Sequence, residues 1–224
     1  MKVLLINPWG GEVFPTPAIG YLQATLKAAG ADVTAVDLSG AFKDTDYDIV
    51  GVTFHSFSVK QAQRIRHYYK DNRLICGGHH PSALPYQMLA IGYDQVVIGE
   101  GEKAIIDIIN GNTAPLVYGE LSDINEIPFP DYTGLSFTGA MGLPVISSRG
   151  CPFACSFCAS SHFWNRKYRV RSVENVLAEL KQLTDAGIKT WMKEDDNFTA
   201  NKRRAIEICK GIAAMGQFNW QCAS

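Results

Sequence analysis

The stretch ISSRGCPFACSFC, residues 146–158, decides how the chain is interpreted, because it contains three of the six cysteines. Cys151, Cys155 and Cys158 form a C-x3-C-x2-C array that directly follows a short apolar run. Thiolates prefer soft metals, and three thiolates on one loop can bind three irons of a four-iron cluster while the fourth iron stays open. The array therefore indicates an iron–sulfur site.

Structural zinc and a chance grouping of thiols are the competing interpretations. Structural zinc takes four ligands from paired knuckles, and no second knuckle follows the array, although His162 lies four residues after Cys158. Disulfides are disfavoured because no secretory signal precedes the first predicted strand and the spacing is not that of a secreted scaffold. The spacing favours the iron–sulfur interpretation over these alternatives.

The array has an aromatic residue, Phe157, directly before the third cysteine, and in this it resembles the signature of the radical S-adenosylmethionine (SAM) superfamily. The resemblance implies that Cys151, Cys155 and Cys158 hold a [4Fe-4S] cluster. The amino and carboxylate groups of SAM would chelate the open iron, with Phe157 beside the adenine. One electron passed to the sulfonium would release a 5′-deoxyadenosyl radical, so an electron donor such as flavodoxin or ferredoxin is an expected partner.

Length and charge set broad limits on the function. A chain of 224 residues allows one or two domains, each able to bury a core. The formal net charge of -1 gives no electrostatic reason to expect nucleic acid or a membrane surface as a partner. No apolar run reaches the length of a membrane span. We expect a cytoplasmic protein with a small-molecule substrate, and the oligomeric state stays open.

Short apolar segments alternate with helical ones through the first half of the chain. The predicted strands are residues 2–7, 32–37, 49–54, 73–76 and 95–98. The predicted helices are one that begins at Pro17 and three at residues 59–69, 86–90 and 102–110. This alternation predicts a parallel sheet covered on both faces, which is an α/β doubly wound, Rossmann-like domain over residues 1–112.

Ligands of such sheets bind beyond the carboxyl ends of the strands, where paired glycines let backbone N–H groups approach a bulky group. By themselves, these glycine-rich ends fit ordinary strand-to-helix turns better than a binding site. The candidate binding residues at the strand ends are Asn7, Pro8, Trp9, Thr53, His55, Ser56, Gly77, Gly78, His79, Gly99, Glu100 and Gly101.

Three segments together change this interpretation: the N-P-x-G opening with the helix from Pro17 to Gly30, the G-G-H-x-P-S-A-L-P loop, and V-x-G-E-G-E. They resemble the cobalamin-binding domain that precedes the radical core in B12-dependent radical SAM enzymes. The resemblance covers nearly the whole chain and implies that cobalamin lies against the strand ends named above. The D-x-H-x-x-G motif of cobalamin mutases is absent after Asp37, so no histidine is assigned as the lower cobalt ligand.

The second half is predicted to begin a βα barrel. Residues 113–142, rich in proline and glycine, are predicted as a linker. Residues 143–224 then provide strands at 144–148, 190–193 and 218–223 and helices after Ser172 and at 202–215. The cysteine loop follows the first strand at its carboxyl end, where barrels place their chemistry. Only about three strands are available, so we expect a truncated radical SAM partial barrel.

Three consecutive acids end the second of these strands. The family resemblance assigns hydrogen bonds from the SAM amino group to Glu194 and Asp196 and leaves Asp195 undecided. The alternative is a solvated turn in which Thr199 caps the next helix. Three arginines could contact the SAM carboxylate or a phosphate, or could be surface charge: Arg149, Arg169 and Arg171.

Together the resemblances imply a cobalamin-dependent radical SAM enzyme, in most members a methyltransferase that acts on an unactivated carbon. Members that catalyse rearrangement or cyclisation share these motifs. Methylthiolation would require a further cluster with three upstream cysteines, whereas only Cys76 is present there. A different class of function is a cobalamin-binding fragment without turnover of its own.

Overall fold

A computed structural model of the chain describes residues 1–8, 16–38, 40–121, 123–136 and 142–223. The chain divides into a first unit of Met1–Ser122 with Ile127–Gly139 and a second unit of Asp123–Glu126 with Ala140–Ser224. Within the described ranges, no helix has the length and apolar character that crossing a membrane requires.

The first unit is a six-stranded parallel sheet with helices. Its strands β1–β6 are Lys2–Asn7, Asp32–Asp37, Ile49–Thr53, Arg73–Gly77, Gln95–Ile98 and Leu116–Tyr118. Its helices α1–α5 are Pro17–Ala28, Val59–Tyr68, His79–Ala83, Pro85–Ile91 and Gly101–Ile109. The strand order is β2-β1-β3-β4-β5-β6, and every pair is parallel. The predicted doubly wound α/β fold is confirmed.

Alternation along β1 explains why helices cover both faces. Val3 and Leu5 pack with residues of α1 and α5, whereas Leu4 and Ile6 pack with residues of α2 and α4. Successive side chains of a strand point to opposite faces, so a continuous apolar strand needs two covering layers. The strand order reverses between β1 and β3, which places the crevice of a doubly wound sheet at their carboxyl ends.

Much of the stretch predicted as a linker, 113–142, packs within the first unit. Strand β6 pairs with β5 and buries Val117. The buried side chain of Gln23 on α1 donates from Nε2 to the carbonyl oxygens of Asp131 and Thr133, at 3.2 and 3.0 Å. Proline punctuation indicated extended chain here, and a strand of three residues has too little periodicity to be recognised.

The second unit combines a three-stranded sheet with a two-stranded ribbon. Its strands β7–β11 are Leu143–Val145, Ser148–Arg149, Arg169–Val170, Thr190–Lys193 and Asn219–Cys222. Its helices α6–α8 are Ala159–Phe163, Val173–Asp185 and Lys202–Met215. The parallel sheet has the order β11-β10-β7, and β8 pairs antiparallel with β9. The described strands form an open sheet and not a closed barrel.

Helices α7 and α8 cover one face of this sheet. Trp191 of β10 lies in a cluster with Leu180 of α7 and Ile208 of α8, and all three are fully buried. The predicted cap of α7 is confirmed, because Ser172 Oγ accepts a hydrogen bond from Asn175 N at 3.1 Å. The cap of α8 is Asn201 and not Thr199.

Candidate functional site

The loop between β8 and α6 carries the three cysteines of the array. All three are free thiols, with Cys155 exposed and Cys151 and Cys158 half-buried. The amide of Cys158 donates to the carbonyl oxygen of Cys155 at 3.1 Å, which makes a turn between the last two cysteines. The side chain of Phe157 is 91% exposed. The thiols are therefore accessible to an incoming metal.

The loop carries three thiols that can bind metal, but in the described structure they do not converge on one point. Within the described ranges, no three His, Cys, Asp or Glu side chains lie close enough together to hold a metal ion. Three thiols on one loop suit a cluster that leaves one iron open, whereas closed structural zinc needs a fourth ligand. The donor chemistry fits a [4Fe-4S] cluster, and the convergence of Cys151, Cys155 and Cys158 stays a prediction.

The middle acid after β10 lies inside the protein. Asp195 is 3% exposed, and its Oδ1 accepts hydrogen bonds from the amides of Ser147 and Ser148, both at 2.6 Å. Its Oδ2 accepts a hydrogen bond from Ser147 Oγ at 2.5 Å. Asp195, which the sequence left undecided, is thus bound to the backbone that enters the cysteine loop.

The two neighbouring acids are exposed, and Asp196 contacts the cysteine loop. Asp196 accepts a hydrogen bond from Gly150 N at 2.9 Å and another from the hydroxyl of Ser160. Partial burial of the Glu194 carboxylate, with the charge of Asp195 nearby, raises the pKa of Glu194. Alternation along the chain thus separates a buried acid from two that a ligand can reach. Their contact with SAM stays a prediction.

Two of the three arginines, Arg149 and Arg171, are buried. Arg171 is buried, forms an ion pair with Glu179, and donates from Nη1 to the carbonyl oxygen of Ile146 at 2.7 Å. The guanidinium carbons of Arg149 and Arg169 each lie 5.9 Å from the ring centroid of Trp164. Arg149 is also buried. The surface-charge interpretation is therefore wrong for Arg149 and Arg171.

A glycine allows the chain to enter the cysteine loop. Gly150 has a φ of +82°, and a Cβ there would lie 2.0 Å from the carbonyl oxygen of Lys167. A left-handed conformation together with such a close backbone approach leaves no room for a side chain.

We therefore expect Gly150→Ala to lower the free energy of unfolding by about 2–4 kcal/mol, through backbone strain and overpacking. The matched control is Gly187→Ala. Gly187 has a φ of +84°, and a Cβ there would have no atom within 4 Å, so its loss should be only about 1 kcal/mol. Urea unfolding followed by tryptophan fluorescence measures both changes. Equal losses would contradict the role of the Lys167 contact.

Aromatic rings stack on one another at the carboxyl edge of the first sheet. The ring of His55 stacks on His79, with centroids 4.6 Å apart, and on Phe57, with centroids 5.4 Å apart. His55 is exposed and Phe57 is 60% exposed. Partial desolvation of the ring lowers the pKa of His55. The loops after β3 and β4 thus present an aromatic face, which we call the ring stack.

His80, which follows His79 after β4, is buried behind this edge. His80 is 8% exposed, and its Nδ1 lies 2.9 Å from Ser56 Oγ. Its ring stacks on Phe54, with centroids 5.9 Å apart. Its Nε2 is buried with no hydrogen-bond partner among the described residues. His80 therefore helps to join the β3 and β4 loops.

Glycines bring the neighbouring strand ends together. Gly78 has a φ of +99°, and a Cβ there would lie 2.8 Å from Thr53 Oγ1. The amide of Gly99, at the end of β5, donates to Ser82 Oγ at 3.0 Å. The structure therefore joins the predicted segments at the ends of β3, β4 and β5 along one edge.

Other predicted contacts are buried in the first unit. Asn7 is 1% exposed, with Nδ2 donating to Asp37 Oδ1 at 3.0 Å and Oδ1 accepting from Thr16 Oγ1 at 3.1 Å. Pro8 and Glu100 are buried as well. Trp9 lies outside the described residues. The side chain of Asn7 therefore has a structural role in joining β1 to β2.

Comparison with known proteins gives matches to both halves. The family model described as B12 binding domain matches residues 10–109. The family model described as Radical SAM superfamily matches residues 145–214, which include the cysteine loop. The chain belongs to the B12-dependent radical SAM family.

Two curated relatives resemble this radical SAM chain over nearly its whole length. An uncharacterized methyltransferase of Pyrococcus horikoshii is 30% identical, over 100% of this chain and 60% of the relative. An anaerobic magnesium-protoporphyrin IX monomethyl ester cyclase of Cereibacter sphaeroides is 26% identical, over 96% of this chain and 44% of the relative. The chain spans about half the length of the curated relatives that it matches.

A solved structure supports the fold. The radical SAM methyltransferase TsrM of Kitasatospora setae, with cobalamin and a [4Fe-4S] cluster bound, superposes with a TM-score of 0.72 at 19% identity. The superposition covers 96% of this chain and 52% of TsrM. At this identity the likeness concerns the fold of the radical SAM chain.

Sequence reasoning missed several residues beside the sites. Phe57 of the ring stack looked like an ordinary loop residue, and its place two residues after His55 was the available signal. Arg204 is 7% exposed, although it lies in the run Lys202-Arg203-Arg204, which is typical of a solvated helix start. Trp164, which lies against two arginines, carried no motif.

Proposed function

We propose that the protein is a cobalamin-dependent radical SAM enzyme that transfers a methyl group to an unactivated carbon of a small-molecule substrate. The observation that carries the proposal is the tandem of a B12-binding match on a doubly wound sheet and a Radical SAM match that encloses the three-cysteine loop. When bound, the cluster with SAM supplies a 5′-deoxyadenosyl radical, and cobalamin supplies the methyl group.

The second unit would hold the cluster and SAM. The three thiols of the cysteine loop are the cluster ligands in this proposal: Cys151, Cys155 and Cys158. Glu194 and Asp196 are exposed, Asp196 contacts the loop, and both would accept hydrogen bonds from the SAM amino group. Phe157, with its exposed ring, would lie against the adenine. Asp195 is buried and would not contact SAM in this proposal.

The first unit would bind cobalamin along the carboxyl edge of its sheet. The ring stack offers a flat apolar face, and the glycines at the strand ends let the backbone approach a large ligand. The proposed contacts are Thr53, His55, Ser56, Gly77, Gly78, His79, Gly99 and Gly101, with Phe57 added from the structure. Asn7, Pro8 and Glu100 would shape the edge from inside, and Trp9 is retained as a sequence-based contact.

The proposed reaction also requires an external electron donor. The described cysteines are all free, which suits a reducing cytoplasm, and a flavodoxin or ferredoxin would deliver the electron that SAM cleavage requires. Ring formation is the second candidate reaction, because the relative from Cereibacter sphaeroides is a cyclase by name. Rearrangement, methylthiolation and a cobalamin-binding fragment without turnover are the remaining outcomes of the tests below.

Cofactor content is the first test. The chain is reconstituted anaerobically with iron and sulfide, hydroxocobalamin is added, and excess is removed by gel filtration. We expect about four irons and about one cobalt per chain. Replacing the three loop cysteines by alanine should abolish cluster iron and leave cobalt bound, because they lie in the other unit. Cys209→Ala, on α8, is the matched control and should retain iron.

Two outcomes of this test contradict the proposal. Cluster iron that survives in the triple variant would mean that other residues bind it. Iron without cobalt would reject cobalamin for the first unit and leave a radical SAM enzyme of another kind.

The reaction type is then tested by adding SAM and a reductant. S-adenosylhomocysteine would support methyl transfer, whereas 5′-deoxyadenosine alone would favour ring formation or rearrangement.

A further inference from the structure

Three charged side chains converge on the backbone directly before the cysteine loop. Asp195 binds the amides of Ser147 and Ser148, both at 2.6 Å. Arg204 of α8 donates from Nη2 to the carbonyl oxygen of Ser147 at 2.6 Å and from Nη1 to its hydroxyl at 3.2 Å. Arg171 binds the preceding carbonyl, of Ile146, at 2.7 Å. The backbone at residues 146–148 is therefore held from several elements.

These contacts are shielded from water, which increases their strength. Ser147 is 0% exposed, Asp195 3% and Arg204 7%. Hydrogen bonds to an ionised group are about twice as strong as neutral ones, and a low local dielectric strengthens them further. The three partners come from separate segments, since Asp195 follows β10, Arg204 lies on α8 and Arg171 lies between β9 and α7.

The neighbouring acid, Asp196, contacts both ends of the cysteine loop. Asp196 binds Gly150 N at 2.9 Å, one residue before Cys151, and the hydroxyl of Ser160, two residues after Cys158. Adjacent carboxylates thus hold the chain before the first cysteine and after the last. Such contacts restrict how the thiols can be arranged, as outer contacts do for the ligands of other metal sites.

We propose that Asp195, together with Arg204, is a positioning residue that fixes the entry of the cysteine loop in the conformation that receives the cluster. The inference rests on the proposed cluster site. Neither side chain touches the cluster or SAM in this proposal. They act through the backbone of Ser147 and Ser148, which leads through Arg149 and Gly150 to the first ligand.

The test compares Asp195→Asn with Ile208→Val, which removes one methylene from the core of the same unit. In the chain without iron, NMR hydrogen exchange is measured at the amides of Ser147 and Ser148. Loss of a charge-assisted bond should speed their exchange about 10- to 100-fold in Asp195→Asn. In the reconstituted chain, iron release to a chelator should be about tenfold faster or more. Ile208→Val should change neither rate beyond its effect on global unfolding.

A milder variant covers the case in which Asp195→Asn does not fold. Ser147→Ala removes the hydroxyl that binds both charged groups and keeps both amides, so a rise of a few-fold in both rates is expected. Rates equal to those of Ile208→Val in either variant would overturn the proposal. If the unmodified chain binds no iron, the cluster proposal fails. The exchange rates in the iron-free chain still decide whether Asp195 holds the loop entry.

Discussion

Glu179→Leu is expected to lower the free energy of unfolding of the second unit by about 3–5 kcal/mol. Glu179 and Arg171 form an ion pair in which both side chains are 2% exposed. Removing the carboxylate leaves a guanidinium in a dry interior, and arginine cannot give up its proton there. The loss should therefore be much larger than that of an exposed pair such as Lys181–Asp185, which is worth at most about 1 kcal/mol.

Removing the arginine of this pair should instead cause a loss of stability that depends on pH. Burial raises the pKa of Glu179, and Arg171 opposes that rise. In Arg171→Met, Glu179 can therefore take up a proton, so the stability lost at neutral pH should be partly regained as the pH falls. Glu179→Leu should show no such recovery, because no group that can neutralise the arginine remains in the pair.

Urea unfolding followed by tryptophan fluorescence measures both variants. Three of the four tryptophans, Trp164, Trp191 and Trp220, lie in the second unit. The double variant Arg171→Met with Glu179→Leu should lose less stability than the sum of the single variants, because neither charge is left alone. Additive losses, or a loss below about 1 kcal/mol in Glu179→Leu, would show that the pair is not desolvated in solution.

The free energy of unfolding of the unmodified protein should rise with pH, and Lys193→Met is expected to abolish that rise. Lys193 is 2% exposed, and its Nζ has no hydrogen-bond partner among the described residues. Burial lowers the pKa of its amine from 10.5 to about 8, although Asp195 and Glu179 oppose the shift. Arg171 and Arg204 lower the pKa further. The protein therefore buries a lysine with little compensation for its charge.

The sign of the effect follows from proton binding. Below pH 8 both folded and unfolded chains carry the charged amine, so the full cost of burying the charge is present. Between about pH 8 and 10.5 the unfolded chain binds the proton and the folded chain does not, so stability rises with pH. The difference between these pKa values corresponds to about 3 kcal/mol as an upper limit.

Unfolding at pH 7 to 10 provides the measurement. Stability relative to Lys193→Met should increase by up to about 3 kcal/mol over this range. Lys189→Met is the matched control, since Lys189 is exposed just before the same strand, and it should keep the pH dependence of the unmodified protein. A pH-independent difference between the protein and Lys193→Met would show that the amine is charged throughout, with a partner or water.

The sequence predicted elements whose burial pattern is local. Helix α7 begins where its cap indicated and α8 where its apolar spacing indicated, and the β1, β2, β5 and β10 strands have the predicted bounds. The strand predicted at residues 144–148 is instead split into β7 and β8. Asp195, Arg171 and Arg204 bind the backbone between these two strands, and none of these contacts is visible in the local pattern.

Charged residues of the second unit show the limit of this reasoning most clearly. Lysine, arginine and acidic residues are almost never fully buried unless paired, so sequence patterns favour the surface for them. Here α7 provides Glu179, α8 provides Arg204, and the end of β10 provides Lys193 and Asp195. Their burial arises only when these elements pack together, which no single segment encodes.

The sequence by itself determined the family, the α/β class and the loop that carries the thiols, because spacing and periodicity are properties of neighbouring residues. The tertiary structure alone decided that Asp195 lies inward while Glu194 and Asp196 stay exposed. It also decided that Phe57, His55 and His79 form one ring stack. The physical reason is the same in both cases, since desolvation and ring contacts depend on residues that are distant in the chain and meet only in the folded protein.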